Sequence, residues 1–181
     1  MLFEKIASII RGVWLRSIVN IFHKGSHINK GFRIGKNCQL RFRGKGRIII
    51  GDNVVIGNNV KLSVLKNGLI ELQDEVGIND YCQLVAHEGI IIGYKTNIAP
   101  FTCFFDHDHV FKKGIIKKEY IVSSITVGHS CWIGANTVIL RNTKIGDCCL
   151  IGAGAVIKGT VPNDTIVIQK RNTLVKESEG L

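Results

Sequence analysis

Residues 127–162, VGHSCW IGANTV ILRNTK IGDCCL IGAGAV IKGTVP, repeat with a period of six. The first position of each hexad is aliphatic, the second is often Gly, and the fifth is small or β-branched. Residues 50–67, IGDNVV IGNNVK LSVLKN, follow the same pattern. An amphipathic helix repeats at about 3.6 residues and a half-buried strand at about 2, so neither explains this period. A stacked coil with three short strands per turn does explain it.

Each position of the hexad predicts an environment. The first positions should point into one continuous core: Ile50, Ile56, Leu62, Val127, Ile133, Ile139, Ile145, Ile151 and Ile157. The fifth positions indicate a narrow interior: Val54, Val60, Thr96, Thr102, Cys131, Thr137, Thr143, Cys149 and Ala155. Glycine is expected at the second position, where the backbone turns and a side chain would obstruct.

The pattern resembles that of the hexapeptide-repeat acyltransferases, over roughly residues 30–165. The resemblance implies an all-β fold, a left-handed parallel β-helix of triangular section, with a short N-terminal helix and an extruded loop. We therefore predict three regions. They are an N-terminal amphipathic helix (1–24), a left-handed β-helix acyltransferase domain (25–165) with a loop at 105–124, and a C-terminal tail (166–181).

Composition narrows the range of partners. The chain has 181 residues, of which 45% are apolar, which suits one domain with a continuous core. Its net charge of +10 favours anionic partners such as a phosphorylated cofactor, a sugar nucleotide or a lipid surface. We expect no nucleic-acid partner, because there is no basic stripe with interleaved aromatic residues. The six cysteines form no CxxC pair and no metal-ligand spacing is evident, so neither disulfides nor a metal is expected.

The first 22 residues, MLFEKIASIIRGVWLRSIVNIF, lie outside the repeat and place apolar residues at helical spacing, with Lys5, Arg11 and Arg16 among them. Two compatible interpretations stay open. The helix packs against the end of the β-helix and caps its open coil, or it rests on an anionic membrane. No apolar stretch reaches the roughly 20 residues needed to span a bilayer. A cytoplasmic location is expected, with peripheral contact at the inner face of the membrane under the second interpretation.

Residues 103–114, CFFDHDHVFKKG, interrupt the repeat with two histidines and two aspartates in a row. Acyl transfer to a hydroxyl needs a base, and a histidine with a pKa of about 6.5 is suited to that task. A solvated polar loop and a metal site are the alternatives. In the galactoside and maltose acetyltransferase-like branch that the chain resembles, the base follows the Gly of an IG....IAP segment by about sixteen residues. The resemblance thus favours His109 as the catalytic base, with His107 sharing its role or positioning the substrate.

The resemblance also implies acetyl-CoA as co-substrate, bound between subunits of a homotrimer. The segment CWIGANTVI resembles the family's W-I-G segment and assigns the donor groove to Trp132, Gly134 and Ala135, with Ala153 and Gly154 one coil later. Lys158, Lys170 and Arg171 are candidates for the cofactor phosphates. Contacts to a saccharide acceptor are expected from Asn79, Gln83, Asn97, Asp106 and Asp108.

The predicted function is coenzyme A-dependent O-acetylation of a sugar hydroxyl in bacterial surface polysaccharide: capsule, exopolysaccharide or the O-antigen of lipopolysaccharide. One alternative is N-acetylation of an amino-sugar nucleotide on the same scaffold. Another is a noncatalytic β-helix that acts as a scaffold or binding module.

Overall fold

The computed structural model describes residues 2–170. Helix α1 spans Leu2–Phe22. The strands that follow are β1 (His27–Ile28), β2 (Arg33–Ile34), β3 (Gln39–Phe42), β4 (Arg47–Ile50), β5 (Val55–Ile56), β6 (Lys61–Val64), β7 (Leu69–Leu72), β8 (Gly77–Ile78), β9 (Gln83–Ala86), β10 (Gly89–Ile92), β11 (Asn97–Ile98), β12 (Cys103–Phe105), β13 (His107–Lys112), β14 (Ile115–Val122), β15 (Ile125–Val127), β16 (Trp132–Ile133), β17 (Val138–Ile145), β18 (Leu150–Ile151), β19 (Val156–Val161) and β20 (Ile166–Val167).

The strands other than β13 and β14 form a parallel solenoid of about six turns that matches a left-handed β-helix, so the predicted fold is confirmed. It has three faces. Face 1 contains β1, β4, β7, β10 and β15; face 2 contains β2, β5, β8, β11, β16, β18 and β20; face 3 contains β3, β6, β9 and β12. Strands β17 and β19 begin on face 3 and continue round the corner onto face 1. We number the coils in chain order, so that coil 1 is β1–β3 and coil 4 is β10–β12.

The core is a single aliphatic column, as the repeat predicts. All nine first-position residues are buried, with exposed fractions of at most 6%. The four threonines at fifth positions are also fully buried. Their hydroxyls donate to carbonyl oxygens at the corners, for example from Thr137 Oγ1 to Gly134 O over 2.6 Å. These hydrogen bonds make it possible to bury a polar group in a narrow interior.

The glycines at the second positions are required by space. At Gly134, a Cβ atom would lie 2.5 Å from the backbone nitrogen of Ala153 in the next coil. The left-handed backbone lies two positions later in the hexad, at residues such as Asn53 and Asn136, with φ of 57° and 56°. Asparagine tolerates this conformation better than most side chains. The neighbouring coil, and not the turn itself, therefore excludes a side chain at these glycines.

Helix α1 covers the open edge of coil 1. Asn20 accepts a hydrogen bond from the backbone N–H of Ile28 over 2.8 Å and donates one to its carbonyl over 3.0 Å, in the manner of a neighbouring strand. Arg11 Nε donates to Ile34 O over 3.0 Å. Gly12 lies directly against the Phe32 carbonyl, which brings the helix backbone close to the coil. No helix within residues 2–170 is long and apolar enough to span a membrane.

The predicted loop at 105–124 is an ordered β-hairpin. Strands β13 and β14 pair antiparallel, with a register shift between His109 and Phe111. Lys113 and Gly114 connect them with φ of 49° and 77°, the double left-handed conformation of a type I′ turn. The chain leaves face 3 after β12 and returns to face 1 at β15, so the hairpin projects from the corner between these faces.

Candidate active site

The DHDH segment lies where the solenoid gives way to the hairpin. Phe105, the last residue of β12, pairs with Val85 of coil 3 and with Leu140 of coil 5. The next four residues therefore start at the face 3–face 1 corner of coil 4. The corresponding corner of coil 3 is formed by residues 87–89, which lie directly beside them.

Asp106 is fully buried and holds this neighbouring corner in place. Its carboxylate accepts hydrogen bonds from the backbone N–H groups of His87 (2.9 Å), Glu88 (2.7 Å) and Gly89 (2.8 Å). One oxygen also lies 3.3 Å from Nδ1 of His107. Asp106 was predicted to contact the acceptor; in the structure its carboxylate has no solvent exposure and accepts three backbone amides, with His107 as its nearest side-chain partner.

His107 and His109 lie on the same side of β13 in different surroundings. The side chain of His107 is 13% exposed and faces the Asp106 carboxylate, whereas His109 is exposed. Their ring centroids are 6.3 Å apart, and the ring of Tyr120 lies 5.4 Å from His107 and 4.8 Å from His109. A neutral imidazole that donates from Nδ1 carries its lone pair on Nε2, which can then accept a proton.

His87 is a third histidine of this cluster and was not among the residues predicted from the sequence. Its ring lies 4.2 Å from that of His107 and 4.5 Å from that of Tyr120. Burial lowers the pKa of His87, and the nearby His107 lowers it further. Nδ1 of His87 is buried without a hydrogen-bond partner among residues 2–170. The segment VAHEGI at this corner departs from the regular repeat, but its position next to DHDH follows only from the fold.

Asp108 points to the opposite side of the hairpin from the two histidines. Its carboxylate forms ion pairs with Arg141 (2.5 Å) and Lys158 (3.9 Å). These contacts tie the hairpin to β17 and β19. Lys158, expected to bind cofactor phosphate, therefore lies at the base of the hairpin.

The predicted donor residues surround a different corner, between faces 2 and 3. Trp132 is on face 2, with 49% of its surface exposed, and pairs with Asn97 and Leu150. Gly134 and Ala135 follow it at the corner, and the Gly154 N–H donates to Ala135 O over 2.7 Å. The structure thus brings the five predicted groove residues together: Trp132, Gly134, Ala135, Ala153 and Gly154. Lys170 is exposed beyond β20, and Arg171 lies outside the described residues.

The three uncharged acceptor candidates are on different parts of the solenoid. Gln83 is on face 3, the face that leads to the histidines. Asn97 is on face 2 beside Trp132. Asn79 donates from Nδ2 to Ile98 O over 3.0 Å, so its side-chain amide forms a hydrogen bond to the next coil.

Within one chain, the histidine cluster and the donor groove are separated by the width of face 3. The chain from Ala135 to Leu140 turns at the first corner and then runs along this face to the second corner as the beginning of β17. A single chain therefore does not bring its two groups of predicted residues into contact. Within residues 2–170, no group of three His, Cys, Asp or Glu side chains could hold a metal ion.

Family comparisons agree with the fold and the repeat. Residues 124–159 match the model for the bacterial transferase hexapeptide (six repeats), and residues 47–69 match the hexapeptide repeat of succinyl-transferase. The β-helix and its repeat define a hexapeptide solenoid. These matches confirm the resemblance to the hexapeptide-repeat acyltransferases inferred from sequence.

Two curated relatives and one solved structure illustrate the similarity. The chain is 29% identical over 161 residues to WbbJ of Escherichia coli, named as a lipopolysaccharide biosynthesis O-acetyl transferase, and the match covers 78% of this chain and 80% of WbbJ. It is 28% identical over 153 residues to Rv3034c of Mycobacterium tuberculosis, named as an acetyltransferase, covering 84% of this chain but only 44% of that protein. A structure of AntD, an N-acyltransferase from Bacillus cereus, superposes with a TM-score of 0.69 at 21% identity over 90% of each chain, which shows a shared fold.

Proposed function

We propose that this protein transfers an acetyl group from acetyl-CoA to a sugar hydroxyl during the assembly of a bacterial surface polysaccharide. The observation that carries the proposal is the pairing of His107 with the buried Asp106 carboxylate at 3.3 Å, beside a projecting hairpin. An oriented imidazole is the arrangement that general-base catalysis requires. The similarity to WbbJ supports the O-acetyl transfer and the polysaccharide context.

In this mechanism, His107 is the base and acts through Nε2. It removes the proton of the acceptor hydroxyl as the oxygen attacks the thioester carbonyl. The tetrahedral intermediate then collapses, the carbon–sulfur bond breaks, and the proton on His107 passes to the departing thiolate. Asp106 stabilises the imidazolium and fixes its orientation, as in other carboxylate–histidine pairs. The spacing from the Gly of the IG....IAP segment favoured His109 as the catalytic base, but the contact with the Asp106 carboxylate favours His107.

The donor is proposed to lie along the corner formed by Trp132, Gly134 and Ala135. Trp132 offers an exposed apolar surface there, and the small residues Ala135 and Ala153 beside it are not buried. Lys170 follows this corner and stays a candidate for a cofactor phosphate, as does Arg171. AntD has been solved with coenzyme A, which supports this co-substrate for a protein of the same fold.

We further propose that the active assembly is a homotrimer. The separation across face 3 is bridged if His107 of one subunit meets the donor groove of a neighbouring subunit. The third element of the proposal is contact between the exposed apolar face of α1 and the inner surface of the membrane.

N-acylation of an amino sugar is the second candidate function. It is favoured by AntD, an N-acyltransferase whose complex contains dTDP-4-amino-4,6-dideoxyglucose. The chemistry would use the same base to remove a proton from the attacking nitrogen. The acceptor alone separates the two candidates.

The test supplies acetyl-CoA with a panel of hydroxyl and amino sugars and follows free thiol release and product mass. We expect an O-acetylated product. With that acceptor, His107→Ala should lower kcat/KM by roughly 10²–10⁴-fold, whereas His109→Ala should lower it less than about tenfold. His129→Ala removes a histidine from another corner and serves as the control. An N-acetylated product would establish the second candidate, and a larger loss in the His109 variant would identify His109 as the base.

A further inference from the structure

The outer surface of face 3 carries cations that lead to the histidine cluster. Arg41 is exposed on β3. Its register partners on the next three strands of face 3 are Ser63, Val85 and Phe105, and Phe105 directly precedes Asp106. Arg43 is exposed just beyond the end of β3. It occupies the position in coil 1 that His87 occupies in coil 3, at the corner between faces 3 and 1. At the usual spacing between strands, Arg43 is about 10 Å from His87.

A third cation lies between the two arginines and the histidine cluster. Lys66 lies at this corner of coil 2, and its Nζ is 5.9 Å from the centre of the Tyr120 ring. Its charge also contributes to the lowered pKa of His87. Arg43, Lys66 and His87 thus follow one another on successive coils. We call Arg41, Arg43 and Lys66 the cationic wall.

No residue of the cationic wall forms an ion pair within the described chain. Among residues 2–170, the ion pairs involve Asp106, Asp108 and Asp147, and none of them reaches Arg41, Arg43 or Lys66. By contrast, Arg141 and Lys158 at the base of the hairpin share Asp108. The charge of the wall is therefore available to a ligand.

A pocket opens between the two arginines. It has a volume of about 200 Å³ and is lined by Arg41, Arg43, Ser63, Val64, Leu65, Gln83 and Val85. Two guanidinium groups beside a hydroxyl and an amide supply many donors and few acceptors, which suits an anion with several oxygens. Next to the histidine cluster, the buried Nδ1 of His87 has no hydrogen-bond partner among residues 2–170. A ligand that extends from the arginines towards His107 would pass the corner that holds His87.

We propose that the cationic wall binds the phosphate or diphosphate of the acceptor, so that the acceptor is a phosphorylated sugar. This inference rests on the proposed acyltransferase function and specifies the substrate class of the same site. The anionic group lies between Arg41 and Arg43, and the sugar extends past Lys66 towards His107. Arginine forks match phosphate oxygens in a bidentate manner, which makes phosphate the favoured anion.

Binding of inorganic pyrophosphate to the full chain tests the proposal without turnover. The titration is done by calorimetry in saturating desulfo-CoA, so that any donor site is already occupied. We expect one pyrophosphate per subunit, and affinity about tenfold or more weaker in the Arg41→Gln/Arg43→Gln variant. Lys30→Gln/Lys36→Gln, which removes two exposed cations from the other corners of coil 1, should bind like the unmodified protein.

Three results would overturn the proposal. They are unchanged affinity in the arginine variant, loss of pyrophosphate binding when desulfo-CoA is added, and equal or tighter binding of glucuronate, which would indicate a carboxylate site. If pyrophosphate binds as expected, UDP and farnesyl diphosphate are compared to identify a nucleotide or a lipid source of the diphosphate. Failure of the proposed acetyl transfer would appear separately, as absence of thiol release. The calorimetric measurement of pyrophosphate binding does not depend on that result.

Discussion

Adjacent residues in the DHDH segment have different roles because the fold changes direction between them. Asp106 is still part of the solenoid corner and is fully buried, while His107 begins the hairpin. Asp108 and His109 then alternate sides, as strand geometry requires, so one faces Arg141 and the other Tyr120. Four consecutive polar residues therefore divide into a corner anchor, the proposed base, an ion-pair partner and an exposed histidine.

At the residue scale, the stability of the protein should depend on His87. Burial and the charges of His107, Lys66 and His109 lower the pKa of His87 in the folded state, while Asp106 opposes them. Below the unfolded pKa of about 6.5, the unfolded chain binds a proton that the folded chain does not. The free energy of unfolding should therefore fall as pH decreases from 7 to 5, by about 1.4 kcal/mol for each pH unit over which the states differ by one proton.

Urea unfolding of the protein and of His87→Phe at several pH values measures this dependence. The phenylalanine keeps an aromatic ring against His107 and Tyr120 but cannot titrate. We expect a shallower decrease of the free energy of unfolding in the variant, with His27→Gln retaining the original decrease. Parallel curves for the unmodified protein and the His87 variant would show that His87 does not contribute.

At the element scale, α1 has two apolar sides of different character. The side against coil 1 uses the small Gly12 together with Leu15 and Val19, which allows the helix to approach the coil closely. The other side leaves large side chains exposed: Phe3, Ile6, Ile10, Val13, Trp14 and Ile21. Capping the solenoid therefore explains only one side of the helix. Exposed Lys5 and Arg16 border the second side, which favours an anionic lipid surface as its partner.

Sedimentation with phosphatidylglycerol vesicles tests this contact. The protein should sediment with these vesicles more than with phosphatidylcholine vesicles, and Ile10→Glu/Trp14→Glu should bind at least about tenfold more weakly, because charged residues are excluded from the acyl boundary. Ile166→Glu/Ile168→Glu changes two exposed residues at the opposite end of the β-helix and should bind normally. Unchanged vesicle binding by the helix variant would refute the contact. A change in oligomer size alone would indicate that α1 contacts a second copy.

At the scale of the whole molecule, face 3 keeps the histidine cluster and the donor groove apart within one chain. The solenoid is held by parallel ladders on every face, so its two corners cannot move together without loss of these hydrogen bonds. Catalysis by the proposed groups then requires a second subunit. In a cyclic trimer, each site would combine the histidine of one subunit with the groove of the next.

Mixed oligomers test this arrangement. His107→Ala lacks the proposed base, and Ala153→Trp blocks the proposed groove at an exposed position, so each variant alone should be inactive. When the two are coexpressed in equal amounts, about one quarter of the sites in random trimers combine an intact histidine with an intact groove. We expect acetyl transfer at roughly that fraction. Absence of recovery in trimers confirmed by sedimentation would place both groups on the same subunit.

The repeat alone was sufficient to predict the core and the coil. Each hexad has the same environment because stacked coils repeat it, so Ile133 or Thr137 can be assigned from its position without knowing its neighbours. The rule fails where the repeat is interrupted. The order of residues does not reveal that the hairpin places Tyr120 against His109 or that Asp106 turns inward to the amides of residues 87–89.

The sequence by itself determined the β-helix, its aliphatic column and the place where the solenoid is interrupted. These follow from local periodicity, which every coil repeats. Only the tertiary structure brought His87 and Lys66 to the DHDH segment, gave Asp106 and His107 different surroundings, and placed Arg41 and Arg43 on the face that leads to the histidines. Those contacts join successive coils at their irregular corners. Insertions there change the number of residues per turn, so the sequence alone does not show which residues of neighbouring coils lie side by side.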